Sequence, residues 1–359
     1  MVIRMNMLGV ARKFYRSFSD WYTVRRLTSE AKAIADMPTY FPEYSGQRKT
    51  HSQMVRENVA HLKRYKEVNS FYMLYGLDIQ GSDANLYIDY LSFMNTRNVQ
   101  NRVCWTDSQV VLLRDKFLFY KYLSSHGISV ADVFALLDHG KLFTTKMDTY
   151  DESLLRKKEN FFIKSIDGEC ASFVKRVKNF DEYKKIYAQM DHSKRYILQD
   201  SLVQCDEMNR LNPRSINTMR IVTVMKDGNV SILTALLRVG TEKTGNVDNW
   251  AAGGLAVGIE NNGYLKEHGF YKPQFGQKVN CHPDTGIRFS EFEVPMFEQA
   301  KELVCNAHKS LYGVHSIGWD VAFTQNGPVL IEGNDNWEIS LQQACDRPLK
   351  ADWLDAIKK

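Results

Sequence analysis

The chain has 359 residues, of which 44% are hydrophobic, 12% aromatic and 25% charged. That is enough apolar material for two or three packed units and excludes whole-chain disorder. No apolar run approaches the ~20 residues of a spanning helix. The basic N-terminus lacks the apolar stretch of a signal peptide, because Lys13, Arg16 and Asp20 interrupt it. Net charge is +5, unevenly placed: residues 1–66 hold 13 Lys/Arg against five Asp/Glu, and the remainder is net −3. The six cysteines lie far apart without a C-x-x-C pair, as scattered thiols of a cytoplasmic protein do.

In chain order, Asn6 to Met37 predicts a helix, with Leu8, Tyr15, Phe18 and Tyr22 spaced by seven, three and four. Pro38, Pro42 and Gly46 mark a loop. Ser52 to Val68 and Asp83 to Asn95 predict two further helices, completing a basic helical region over 1–106. Asp107 lies within a plausible N-cap, and the run from Val110 to His126 ends at Gly127 as a helix does. Strand signals then dominate: Ile128–Leu137, Phe161–Ile166, Ala171–Val177 and Tyr196–Val203, with a charged helix from Asp181 to Met190. Three hairpins follow. They turn at Asp227-Gly228, at Asn261-Asn-Gly263 and at Asn326-Gly327, and a helix from Glu293 to Tyr312 precedes the last. The fold class is α+β with antiparallel sheets.

In the last hairpin Asp320 and Glu332 stand on adjacent strands, and Asn334 follows Glu332 by two. Residues two apart on a strand point the same way, so two carboxylates and an amide converge. Such hard oxygen donors suit Mg²⁺, which completes its shell with phosphates. The alternative is surface ion pairs, but both acids sit inside apolar runs where an unpaired charge is costly. Lys164 closes the run Phe161-Phe-Ile, Lys116 follows Asp115, and Arg220 and Arg238 lie within the strands of the first hairpin. Cations on buried strands call for an anion, and phosphate is a natural one.

These pieces, in order, resemble the ATP-grasp superfamily and, more closely, its sugar-transfer-associated branch. They are Asp115-Lys116, Phe162-Ile-Lys164, Leu198-Gln-Asp-Ser-Leu-Val203, Asn217-Thr-Met-Arg220, Leu237-Arg238, Val247-Asp-Asn-Trp-Ala-Ala-Gly-Gly254, and Gly318-Trp-Asp320 through Ile331-Glu-Gly-Asn334. The resemblance covers roughly residues 108–340. It implies a nucleotide gripped between a lid subdomain, 107–198, and a C-terminal subdomain, 199–359, that carries the metal site. It further implies Lys116 and Lys164 on ATP phosphates, adenine against the backbone of Gln199, Asp200, Ser201 and Leu202, and Glu207 (or Asp206) on the ribose. Asp320, Glu332 and Asn334 would hold one or two Mg²⁺, and Arg220 and Arg238 would stabilise the transferring phosphoryl group. Asn217, Asp248, Asn249, Gly253 and Gly254 are candidate substrate contacts. One departure stands out: the phosphate-covering loop, Asp167-Gly-Glu-Cys-Ala-Ser172, has a single glycine and two acids.

The implied reaction is ATP-dependent joining of a small-molecule or glycan carboxylate to an amine through an acyl phosphate, in polysaccharide or cell-surface glycan assembly. An ATP-grasp kinase is the alternative within enzymes, and a non-catalytic nucleotide-binding module the alternative outside them. Cys170 beside Glu169 lacks an activating base, and Trp250, Trp319 and Trp337 read as core more readily than as sugar platforms. The basic front end predicts contact with an anionic membrane surface or an acidic glycan, at the inner face of the membrane. No nucleic acid is expected, and the chemistry leaves room for a homodimer.

Overall fold

A computed structural model describes residues 19–103, 107–167, 173–244, 248 and 250–358. The described part of the first helix, α1, covers 19–33. Next comes α2 (His51–Tyr65), opened by a reciprocal capping box between Thr50 and Gln53 and closed at Lys66, whose φ is +65°. The helix expected from Asp83 begins later, as α3 (Tyr90–Val103). Asp83 instead caps a short 3-10 turn over Ala84–Leu86, and the Asp89 carboxylate accepts the Ser92 N–H at 2.8 Å. These competing local bonds hold the chain out of the helix until Tyr90.

The run expected as one helix from Val110 is two, α4 (Asp107–Arg114) and α5 (Lys116–Ser125). Asp115 breaks it by accepting the N–H groups of Phe117 and Leu118, each at 2.9 Å. Val110, Leu113, Phe119 and Leu123 pack in the core of the larger sheet described below, whereas Phe117 and Tyr120 pack on the smaller one. By packing, residues 107–125 therefore serve both sheets.

The smaller sheet has the order β2-β1-β5-β3-β4 and is antiparallel throughout. Its strands are β1 (Val133–Asp138), β2 (Lys141–Thr144), β3 (Phe161–Ser165), β4 (Val174–Val177) and β5 (Arg195–Asp200). One face packs on the helices α6 (Glu152–Leu155) and α7 (Phe180–Tyr187) through Leu155, Phe161, Ile163 and Tyr183. The other face turns Leu136 and Ile197 toward α5.

The larger sheet, β10-β9-β8-β7-β6-β11-β12, is also antiparallel. It comprises β6 (Thr218–Lys226), β7 (Asn229–Val239), β8 (Leu255–Ile259), β9 (Leu265–Phe270), β10 (Lys278–Val279), β11 (Ser316–Thr324) and β12 (Gly327–Asn334). The β6–β7 hairpin turns at Asp227 and Gly228, both at positive φ, as its Asp-Gly signal predicts. One face buries Met219, Ile221, Leu237 and Trp319 under α9 (Phe297–Ser310) and α8 (Asp206–Leu211). The opposite face, through Leu236, Ala256 and Phe270, packs on Ile34, Tyr72 and Leu74 of the helical front end. Phe93 of α3 likewise meets Trp337 and Trp353 edge-on, the latter on α11 (Lys350–Ala356). So the front end, from Ile34 to Phe93, contributes side chains to the core on this face of the larger sheet.

Two linkers join the sheets at the otherwise open edge of β12 and at the end of β11. Residues 129–131 pair with Leu330, and Gln204 and Cys205 pair with Thr324 and Phe323. Among the described residues no helix is long and apolar enough to cross a membrane.

Candidate active site

Strand register alone assembles the acids and arginines. Asp320 on β11 lies opposite Arg220 of β6 on one side and Glu332 of β12 on the other. Thr218 lies opposite Arg238, and Gly318 opposite Asn334, so with a period of two all of them share one face. A register shift after Asp320 sets Val321 opposite Leu330. The bulge thus falls directly beside the acid pair, a common place for a bulge that re-aims side chains.

Asp320 is only 2% exposed. Arg220 grips it with two bonds, Nε to Oδ1 at 2.5 Å and Nη2 to Oδ2 at 3.1 Å, and Arg238 Nη2 reaches Oδ2 at 2.9 Å. Paired, hydrogen-bonded charge is the condition under which burial is tolerated. Burial pushes the Asp320 carboxyl upward, but the two guanidiniums outweigh it and hold it well below the usual carboxylate range. Glu332 is pushed up by burial and then by the Asp320 charge. Asn334 Nδ2 donates to the Gly318 carbonyl at 3.3 Å and lies 3.4 Å from Glu332 Oε1. Two facing carboxylates, one raised partly by the other's charge, with an amide alongside, are a donor set that a divalent cation relieves.

Arg238 also donates to the Thr218 hydroxyl, from Nε at 3.0 Å and Nη2 at 2.7 Å, and that hydroxyl donates to Asp248. Burial raises the Asp248 carboxyl despite Arg238. Thr218 thus joins the site beyond the residues expected from the sequence, and its spacing of two from Arg220 is the sequence signal for it.

Lys164 comes from the smaller sheet, on the face it shares with Ile197 and turns toward α5. Burial brings its ammonium down to about 8, while the Glu332 charge works the other way and Lys116 adds to the lowering. Lysine and glutamate therefore sense each other across the two sheets. Lys116 opens α5 with its N–H on the Ile166 carbonyl at 3.1 Å. Just before it, Arg114 grips Asp335 through two bonds, at 3.0 and 2.7 Å, fixing α4 to the residue after Asn334. No sequence spacing could reveal that pair, 221 positions apart.

The adenine stretch lies where β5 ends. Gln199 sits in the ladder, and its amide donates to the Ala131 carbonyl at 3.1 Å. The Asp200 N–H is bonded to the Asp132 carbonyl at 3.0 Å, and its carboxylate to Lys158 at 2.7 Å. The Ser201 N–H reaches the Asn160 carbonyl at 3.3 Å, so Leu202 is the member of the four that lies past these bonds. Asp206 and Glu207 are both exposed in the first turn of α8.

Among the expected substrate contacts, Asp248 joins the cluster through Thr218 and Arg238. Asn217 is fully buried, and its amide Nδ2 is engaged by Gln204 Oε1 and the Asn212 carbonyl, at 3.2 and 3.0 Å. That placement is a brace at the start of β6. Gly253 has φ of +97°, and a Cβ there would stand 3.2 Å from Phe275; Gly254 is buried. Asn249, Cys170 and residues 168–172 of the phosphate loop lie outside the described residues. Trp250, Trp319 and Trp337 are all buried, each indole N–H bonded inside the protein. They are core.

No curated protein matches the sequence. Among solved structures the chain is similar to a D-alanine–D-alanine ligase from Helicobacter pylori, with 16% identity over 68% of this chain and 58% of that one and a TM-score of 0.40. It is also similar to an N5-carboxyaminoimidazole synthase from Aspergillus clavatus, with 12% identity, 64% and 46% coverage and a TM-score of 0.37. A RimK domain ATP-grasp protein from Sphaerobacter thermophilus gives 12%, 70% and 67%, and 0.39. The chain spans about half the length of the first two. Residues 101–359 match the model of the sugar-transfer associated ATP-grasp family. With that match running across both sheets and the whole acid–arginine cluster, the chain belongs to this family and its α+β fold is the ATP-grasp fold.

Proposed function

We propose that the chain is an ATP- and Mg²⁺-dependent carboxylate–amine ligase working through an acyl phosphate, in polysaccharide or cell-surface glycan assembly. One observation carries this reading: the Asp320–Glu332 pair, flanked by Arg220 and Arg238 on one sheet, is answered by Lys164 from the other. Oxygen donors for a cation and several cations for phosphate are what phosphoryl transfer needs, where positioning and charge stabilisation supply most of the catalysis.

In this reading Lys116 and Lys164 hold the phosphates of ATP, the chain around Leu202 takes adenine, and Glu207 or Asp206 takes the ribose. Asp320, Glu332 and Asn334 would hold one or two Mg²⁺, which when bound neutralise charge on the phosphate oxygens. The substrate carboxylate attacks the terminal phosphorus of ATP, the bond to the bridging oxygen breaks, and ADP leaves. The amine then attacks the acyl carbon, phosphate leaves with its oxygen, and the nitrogen loses a proton. Arg220 and Arg238 stabilise the transferring group and the acyl phosphate. Asp248, Gly253 and Gly254 serve the acceptor side in this reading, and Asn217 braces it; Asn249 keeps the substrate role that the resemblance implies.

Hydroxylamine intercepts an acyl phosphate as a hydroxamate. Incubating the protein with Mg-ATP, hydroxylamine and a panel of uronic and amino acids should give a hydroxamate with stoichiometric ADP. A phosphorylated alcohol without hydroxamate would assign the site to a kinase.

We also propose that the front end attaches to an anionic surface. Trp21 and Tyr22 are 52% and 57% exposed on α1, with Arg25 over the Trp21 ring at 5.2 Å. Exposed aromatic and basic residues on one helix suit a membrane interface.

A further inference from the structure

The helical front end contains a cavity of about 190 Å³ that the acid–arginine cluster does not touch. It lies between α2, the chain around Glu67–Tyr75, the segment 84–90 and Ser340, which opens α10 (Ser340–Cys345). A cavity of roughly 150 Å³ accepts a benzene ring, so this one has room for a single six-membered ring with substituents.

Its walls are unusually aromatic. Tyr75 and Tyr87 stack with ring centres 4.3 Å apart and planes at 10°, and Phe71 continues the stack at 5.8 Å from Tyr75. The Tyr87 hydroxyl donates to the Tyr75 carbonyl and the Tyr75 hydroxyl to the Ser340 carbonyl, so this wall's hydroxyls are used within the protein. On another side His61 Nε2 is buried without a hydrogen bond, 3.8 Å from Glu67 Oε1. Glu67 Oε1 takes the Tyr90 N–H at 2.9 Å. The histidine and glutamate are too far apart to hydrogen-bond each other, and the carboxylates of Glu67 and Asp89 both line the space.

Three ligand chemistries can be weighed here. An apolar ring would cover the carboxylates of Glu67 and Asp89, each bonded to one backbone N–H, without giving them a further donor. An anion would meet the carboxylates of Glu67 and Asp89, which both line the space. A hydroxylated ring has C–H faces to lie on the aromatic wall and hydroxyls that donate and accept, so it satisfies both sets at once. The aromatic stack also leads inward: Phe71 lies against Trp250 at 6.1 Å, and Trp250 is two residues from Asp248.

We propose that this cavity binds one uncharged sugar ring, anchoring the substrate beside the phosphoryl-transfer site and apart from its reacting carboxylate. That the sugar belongs to the ligase substrate rests on the reading above; the binding itself does not.

The test is saturation-transfer NMR and calorimetry on the full chain with four probes: methyl β-glucopyranoside, N-acetylglucosamine, glucuronate and tetramethylammonium. Saturable binding of a neutral pyranoside, tighter than that of glucuronate, is expected. His61→Phe fills the space and Tyr90→Ala removes an exposed wall, and each should weaken binding about tenfold. The melting shift given by Mg-ATP should be unchanged in both. Should Tyr90→Ala fold poorly, His61→Phe decides alone. Three results would each overturn the proposal: no saturable neutral-sugar binding at tens of millimolar, preference for tetramethylammonium or glucuronate, or unchanged affinity in the folded variants. Hydroxamate formation without sugar binding defeats this proposal alone, and sugar binding without hydroxamate defeats only the ligase reading.

Discussion

Lys164 and Glu332 belong to different sheets, yet each lies within the other's electrostatic reach. In the proposed site the ammonium of the smaller sheet and the carboxylate of the larger one face the same nucleotide. Lys164→Met should keep the fold, since the aliphatic stem still packs, and lose at least about a hundredfold in kcat/KM for ATP. Lys164→Arg should recover part of that loss. Turnover at the normal rate in the methionine variant would make Lys164 structural.

Asn217 offers a contrast within the same hairpin. With its amide committed to Gln204 and Asn212, Asn217→Ala should lower stability by about 2 kcal/mol in denaturant titrations and leave the KM for substrate nearly unchanged. A raised KM with intact stability would return Asn217 to the substrate contacts.

The hairpins that carry the chemistry are legible in their turn signals and apolar runs, but the register that brings their side chains together depends on bulges. Counting back from the turn, where Thr324 pairs with Gly327, would set Asp320 opposite Ile331; the register shift after Asp320 sets it opposite Glu332 and so brings Asp320, Glu332 and Asn334 to one face. Counted from the Asp-Gly turn at 227–228, Arg220 would lie opposite Ala235 with Arg238 on the other face; a register shift between Val222 and Thr223 instead sets Arg220 opposite Leu236 and Thr218 opposite Arg238, on one face. Local competition blurred the helices. Asp115 split one run and Asp89 delayed another, because short acidic side chains bond nearby backbone N–H groups as readily inside a predicted helix as at its start. The Arg114–Asp335 clamp and the stack from Tyr87 to Trp250 join distant segments, and no local pattern encodes them.

His308 predicts a pH dependence of stability. Burial brings its imidazole down to about 4, and the ring is held between the Thr223 hydroxyl and the Val314 carbonyl at 2.7 Å each. The unfolded chain, with an ordinary histidine near 6.5, binds a proton that the folded chain refuses. Stability from this group is thus complete above about 6.5 and is lost as pH falls toward 4, on the order of 3 kcal/mol. His308→Gln should flatten that part of the urea-stability profile; an unchanged acid limb would place the titration elsewhere.

The front end can be trimmed only so far. Ala31, Ile34 and Ala35 are buried, whereas none of the described residues 19–30 is, so a deletion ending at residue 30 stops short of these core positions. The truncated chain should keep its Mg-ATP melting shift and lose salt-sensitive binding to anionic vesicles, since screening confines such attraction to ~8 Å at physiological ionic strength. Equal vesicle binding by both proteins would remove the attachment role.

Glu332→Gln tests most directly whether Asp320 and Glu332 receive the metal of a bound nucleotide. Because burial and Asp320 raise the Glu332 carboxyl, its charge disfavours the unliganded fold at neutral pH, and glutamine should leave the unliganded melting point equal or higher. At a hundredfold excess over its Kd, Mg-ATP should stabilise the wild-type chain by about 2.7 kcal/mol, seen as a raised melting point. Glu332→Gln should lose most of that Mg²⁺-dependent rise if the pair holds the metal. A full rise in the variant would contradict it.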